Sequence, residues 1–208
     1  THGVYAENSI SLSGNSAFDS YNSIAGAYGG TNKSNAGEMA VNSTNRGGIS
    51  LSGNSKINGN VFVGYGGATN TVVATSGNAA VNGTRSNLAQ DWSSPPPVEI
   101  PEGAIPITLN VSGNNTVTLT AGVYHASSLT TSGNGKIKTV GAVKIYVDGV
   151  IAISGNGVVV PNNRPENLLL YSTGSSAVSI SGNGSFYGGV YAPNSAVAAS
   201  GNGDIFGA

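Results

Sequence analysis

Apolar residues in this chain fall at every second position over short stretches, and many of these stretches end in one polar tripeptide. Ile49 and Leu51 precede Ser52-Gly-Asn, Ile151 and Ile153 precede Ser154-Gly-Asn, and Val178 and Ile180 precede Ser181-Gly-Asn. A spacing of two is the period of a strand with one face buried. Further strands are predicted at Val61-Phe-Val, Val117-Thr-Leu, Ala142-Val-Lys-Ile-Tyr-Val and Leu168-Leu-Leu-Tyr. No segment sustains a period of 3.6, so the chain reads as all-β with short turns.

The tripeptide is a repeat marker. Ser-Gly-Asn begins at Ser13, Ser52, Ser76, Ser112, Ser132, Ser154, Ser181 and Ser200. Most steps are about 20 to 27 residues, the range of solenoid repeats. Two architectures compete. Asn-Gly between apolar runs, as at Asn58, Asn82, Asn134, Asn156, Asn183 and Asn202, is a hairpin signal and would give an antiparallel sandwich. A β-helix accounts better for one polar tripeptide at one point of every unit, because stacked turns reuse one backbone conformation. The reading is therefore a β-solenoid of about eight to nine coils, expected to be right-handed. Asn15, Asn54, Asn78, Asn114, Asn134, Asn156, Asn183 and Asn202 would form a turn ladder of side-chain amides. Gly tolerates positive φ, and Asn visits that region more readily than most residues.

Two segments break the pattern. Residues 17–48 are polar and Gly-rich and read as a long loop insertion, with room for a short coil inside. Residues 91–106 hold Pro95, Pro96 and Pro97 and read as an extended crossover, with Trp92 packing it down. The expected organisation is one solenoid domain over 1–208, with N-terminal coils over 1–90 and C-terminal coils over 107–208. The start at Thr1 without Met suggests a piece of something longer.

Composition narrows the function. Of 208 residues, 32 are Gly, 25 Asn and 28 Ser, 8% are charged, and the net charge is −1. Eight Lys and Arg make no basic face for nucleic acid, and no apolar run is long enough to insert in a membrane. With no Cys there is neither a disulfide nor a Cys-based metal site. His2 and His125 have no recognisable catalytic partner, and the acids are scattered. Gly201-Asn-Gly-Asp-Ile-Phe is like one turn of a calcium-binding roll, but Lys136, Val158 and Ser185 stand where Asp204 does in other repeats. No enzyme activity, metal or cofactor is expected. Tyr21, Tyr28, Tyr65, Tyr187 and Tyr191 are candidate stacking platforms for a polysaccharide.

The closing text Ser179-Ile-Ser-Gly-Asn-Gly-Ser-Phe-Tyr-Gly-Gly-Val-Tyr-Ala-Pro-Asn resembles the last repeats of the β-solenoid domain in PilX-type pilus-assembly and related bacterial surface proteins. Gly48-Ile-Ser-Leu-Ser-Gly-Asn, Val61-Phe-Val-Gly-Tyr-Gly-Gly, Leu119-Thr-Ala-Gly-Val-Tyr and Val143-Lys-Ile-Tyr-Val-Asp-Gly carry the same resemblance, which extends more distantly to bactofilins. It implies an exported structural protein, pilus-associated or self-assembling into an extracellular filament. The alternative is a surface adhesin or polysaccharide-binding module; a β-helical glycan-active enzyme ranks below both.

Overall fold

Ile49, Ser50 and Leu51 form a three-residue strand whose outer side chains are buried and whose middle one is half-exposed. Ile151–Ile153 and Val178–Ile180 repeat that pattern. Each such strand lies parallel to its counterpart one repeat away, so inward residues stack on inward residues: Leu109 on Leu129, Leu129 on Ile151, Ile151 on Val178, and Val178 on Val197. The fold is an all-β solenoid. The described residues are 3–92, 95–182, 185–200 and 205–207 of a computed structural model. They group into two compact units, Thr1–Ser94 and Pro95–Ala208.

The first unit has three walls. One is a four-stranded sheet of Val4–Ala6, Glu38–Val41, Asn60–Val63 and Arg85–Asn87. The second, which leads into the tripeptide, stacks Ile10–Leu12, Ile49–Leu51 and Val73–Thr75. The third stacks Ala17–Phe18, Lys56–Ile57 and Ala80–Val81. Met39, Val41, Ile49, Leu51, Ile57, Val61, Val63, Val72 and Val73 fill the space between them.

The stretch 17–48 is therefore not one loop. It contributes the antiparallel pair Ser20–Tyr21 and Lys33–Ser34, then returns to the wall as Glu38–Val41. Met39, Ala40 and Val41 are apolar and fully buried, which draws this short segment into the core despite its polar surroundings.

The second unit is also built of stacked parallel walls. Its tripeptide wall has five rungs, Leu109–Val111, Leu129–Thr131, Ile151–Ile153, Val178–Ile180 and Val197–Ala199, against three in the first unit. Thr116–Ala126 and Lys136–Val147 each run across two walls, giving strands of 11 and 12 residues. They turn where the register shifts between Thr120 and Gly122, so that Gly141 and Ala142 face Ala121. Such a bulge bends a strand sharply, and Gly141 accommodates it with φ +96°. Phe186–Tyr187 and Ile205–Phe206 pair with each other, parallel, in a separate two-stranded sheet.

Among the described strands, Ser20–Tyr21 with Lys33–Ser34 is the one antiparallel pairing. The described Asn-Gly dipeptides that suggest hairpins, at Asn58, Asn82, Asn134 and Asn156, are corners between walls instead. A hairpin needs the chain to reverse and pair with itself, whereas here each corner leads to a wall that pairs one turn away.

Candidate functional site

Each described Ser-Gly-Asn sits at the corner that follows the wall leading into it. The amide of the residue after Asn donates to the Ser carbonyl, at 3.0 Å for Gly135 to Ser132 and 3.2 Å for Gly157 to Ser154. The glycine at the second position carries positive φ: Gly14 +72°, Gly53 +70°, Gly77 +69°, Gly113 +64°, Gly133 +61° and Gly155 +67°. Positive φ at the first central residue matches turns that place Gly there. The Asn of the described tripeptides, at Asn15, Asn54, Asn78, Asn114, Asn134 and Asn156, does not share that conformation. Among the described residues the non-Gly positions with positive φ are Asn162 and Asn163, in the segment Pro161–Asn163.

The tripeptide Asn side chains are joined in series along the corner. Asn54 Nδ2 donates to Asn15 Oδ1 at 2.9 Å, and Asn78 Nδ2 to Asn54 Oδ1 at 3.1 Å. In the second unit Asn134 donates to Asn114 at 3.0 Å and Asn156 to Asn134 at 3.2 Å. An amide both donates and accepts, so each links the turns on either side. Asn183 and Asn202 lie outside the described residues, as do His2 and Asp204. A second column, outside the tripeptide, joins Asn82 Nδ2 to Asn58 Oδ1 at 2.7 Å. Fully buried Ser55 donates to the Ser52 carbonyl at 2.9 Å. Buried Thr131 donates to the Ser154 carbonyl and accepts from its amide, both at 2.9 Å.

The five candidate tyrosines fall on different elements. Tyr21 and Tyr28 meet edge to face, 5.7 Å between ring centres. Tyr28 Oη donates to Asp19 Oδ2 at 2.8 Å, and Lys33 binds the same oxygen at 2.7 Å while lying over the Tyr28 ring. The hydrogen bond from Lys33 to Asp19 comes first among the causes that raise the ammonium's pKa. Tyr187 stacks on Phe206 at 4.6 Å. Tyr191 meets Tyr171 edge on and donates to the Pro96 carbonyl at 2.6 Å. Tyr65 is 58% exposed. Trp92 packs on Tyr5 with ring centres 4.6 Å apart, and Asn42 bonds its carbonyl and amide at 3.1 and 3.3 Å.

The structure adds a column not found in the sequence. On another wall of the second unit, strand register aligns His125, Tyr146, Tyr171 and Tyr191. Tyr146 and Tyr171 stack face to face, 4.6 Å between centres and 7° from parallel. His125 Nε2 lies 2.7 Å from Asp148 Oδ2, and Thr173 Oγ1 donates to Asp148 Oδ1 at 2.8 Å. The Thr173 hydrogen bond, then that of His125, holds the Asp148 carboxyl below the usual range. Aligning the repeats on the text before each Tyr would have found this column. Aligning on Ser-Gly-Asn conceals it, because the connecting segments 127–128, 148–150, 173–177 and 192–196 differ in length.

Two shallow grooves open on this unit. One, of about 180 Å³, is lined by Gly122, Val123, Lys144, Glu166 and Leu169. The other, of about 250 Å³, lies beside Thr139, Val140, Val159 and Pro161. Both are smaller than usual small-molecule sites. Among the described residues no three His, Asp or Glu converge as a metal site, and no helix is long and apolar enough to cross a membrane. What the chain offers is ordered side-chain columns on parallel walls.

Residues 128–208 match the family model described as "Domain of unknown function (DUF7305)". The match supports an uncharacterised β-solenoid domain and does not single out pilus-assembly proteins. No curated protein and no solved structure gives a significant match.

Proposed function

We propose that this chain is a non-enzymatic structural protein of the bacterial cell surface, pilus-associated or assembling by itself into an extracellular filament. The observation that supports this most is the in-register parallel stacking of rungs. A parallel rung is completed only by another on each side. The strand Val197–Ala199 pairs with Val178–Ile180 on one edge and has no strand on its other edge among the described residues. Val197 and Ile205, on the same turn, are 53% and 45% exposed. A strand edge beside exposed apolar residues is a template for another strand, which a second copy of the chain can supply.

Electron microscopy of the purified chain across a concentration series tests the reading. Filaments or ordered end-to-end oligomers that lengthen with concentration are expected. Single particles at every concentration would overturn self-assembly. A polysaccharide-binding role is the second reading, and exposed Tyr65 is the observation that favours it. Glycan-array binding that disappears in Tyr65→Ala is its expected result.

A further inference from the structure

We propose that Tyr146 and Tyr171 are a site of oxidative cross-linking, where a one-electron oxidant of the peroxide-dependent haem peroxidase class joins neighbouring turns through a dityrosine bond. Parallel in-register strands set like side chains above one another at the strand spacing, about 4.8 Å. Tyr146 pairs in register with Tyr171. Their rings lie 4.6 Å apart and 7° from parallel, so equivalent ring carbons are already neighbours. Two groups held this way react as one molecule, with a high effective concentration.

The other tyrosines are less well placed. Tyr171 and Tyr191 are 6.2 Å apart at 66°, and Tyr21 and Tyr28 5.7 Å apart at 89°, so both pairs meet by an edge. Tyr5 and Tyr187 lie against Trp92 and Phe206. Tyr171 is half-buried and within reach of the oxidant, while Tyr146, 8% exposed, is shielded from contact with any second protein, the peroxidase included, and loses its electron through the Tyr171 ring stacked on it. That favours coupling inside one chain over coupling between chains.

The chemistry balances with peroxide as oxidant. Each phenol loses one electron and one proton and becomes a phenoxyl radical. The two radicals form a carbon–carbon bond between their ortho carbons. The two hydrogens on those carbons move to the oxygens, restoring both phenols. The two electrons and two protons released reduce one hydrogen peroxide to two waters. In a chain without cysteine, this bond would tie Lys136–Val147 to Leu168–Ser172 as a disulfide ties strands elsewhere. The inference holds whether or not the chain assembles.

The test treats dilute protein with hydrogen peroxide and a haem peroxidase. The expected product is a monomer lighter by two hydrogens, with dityrosine fluorescence. Cleavage after Glu102 and Glu166 separates fragments 103–166 and 167–208 in untreated protein, and these should remain joined after oxidation. Tyr146→Phe and Tyr171→Phe should each lose the link, and Tyr191→Phe should keep it. Fragment sequencing of oxidised wild-type protein locates the bond without relying on any variant's folding. A bond at another pair, a link that survives both Tyr146→Phe and Tyr171→Phe, or products that are all intermolecular would overturn the proposal.

Discussion

Gly155 illustrates what a stacked corner demands of one residue. Its φ is +67°, and a Cβ there would collide with the Gly133 carbonyl one turn away. The left-handed conformation alone costs an L-residue about 1–2 kcal/mol, and the collision adds to that. Gly155→Ala is therefore expected to destabilise the second unit by at least about 2 kcal/mol. Asn134 contributes differently, through two exposed hydrogen bonds in the amide column. Asn134→Ala is expected to cost about 1 kcal/mol, since a net hydrogen bond contributes about 0.5–1.5 kcal/mol and less at the surface. Urea unfolding of both variants checks the ranking. The tripeptide as a marker was legible in the sequence, but its division of labour was not. Both Gly and Asn tolerate positive φ, so only geometry shows that Gly takes the left-handed position in the described turns.

Thr139 is the opposite case, a residue whose burial is not compensated. It is 2% exposed, and its hydroxyl has no hydrogen-bond partner among the described residues. A buried polar group left unpaired costs about 1–3 kcal/mol. Thr139→Val keeps the shape and removes the hydroxyl, and it is expected to stabilise the unit by about 1 kcal/mol, visible as a raised urea midpoint at unchanged slope.

At the scale of the element, strands and corners tolerate length changes unequally. Within Lys136–Val147, Ile145 and Val147 point into the core and are 1% and 0% exposed, while Lys144 points out. One residue inserted between Lys144 and Ile145 exchanges the faces of everything that follows in the strand. Exposing two such aliphatic side chains forfeits about 3–6 kcal/mol, so this insertion is expected to unfold the second unit. The connection 173–177 already differs in length from 127–128 and 148–150, which make the same corner on other turns. One Ser inserted after Ser175 is expected to shift stability by less than about 1 kcal/mol, because loop closure changes slowly with length. Circular dichroism melts of the two insertions separate the cases. The same asymmetry explains what the sequence disclosed. Strands ending at the tripeptide were readable because their alternation is strict and their end is marked. The bend of Lys136–Val147 at Gly141 was not, because one bulged residue leaves no signature in a Gly-rich chain. The column through His125, Tyr146, Tyr171 and Tyr191 was hidden because the corner that follows it is elastic. Glu38–Val41 is not distinguishable in the sequence from the insertion around it, because a four-residue strand in polar text is too short to show a period.

At the scale of the whole molecule, the chain has little charge with which to steer or repel. Eight cationic and nine acidic side chains in 208 residues leave a net charge of −1. Association driven by charge weakens within a Debye length of about 8 Å at physiological salt, whereas strand pairing and apolar burial do not depend on such fields. Self-assembly through the edge at Val197–Ala199 is therefore expected to persist when sodium chloride is raised. It should fail when the edge itself is altered. Val197 is 53% exposed, so Val197→Lys disturbs little of the core and is expected to leave the melting temperature within about 2 °C of wild type. A lysine there places a charge where an apolar column would continue, a device that natural edge strands use against pairing. Sedimentation velocity on wild type and Val197→Lys at low and high salt distinguishes the sources of association. Salt-resistant oligomers lost in the variant would locate the contact at this edge. Oligomers that dissolve in salt, or persist in Val197→Lys, would place assembly on the side walls, where the ionised residues and the tyrosine column lie.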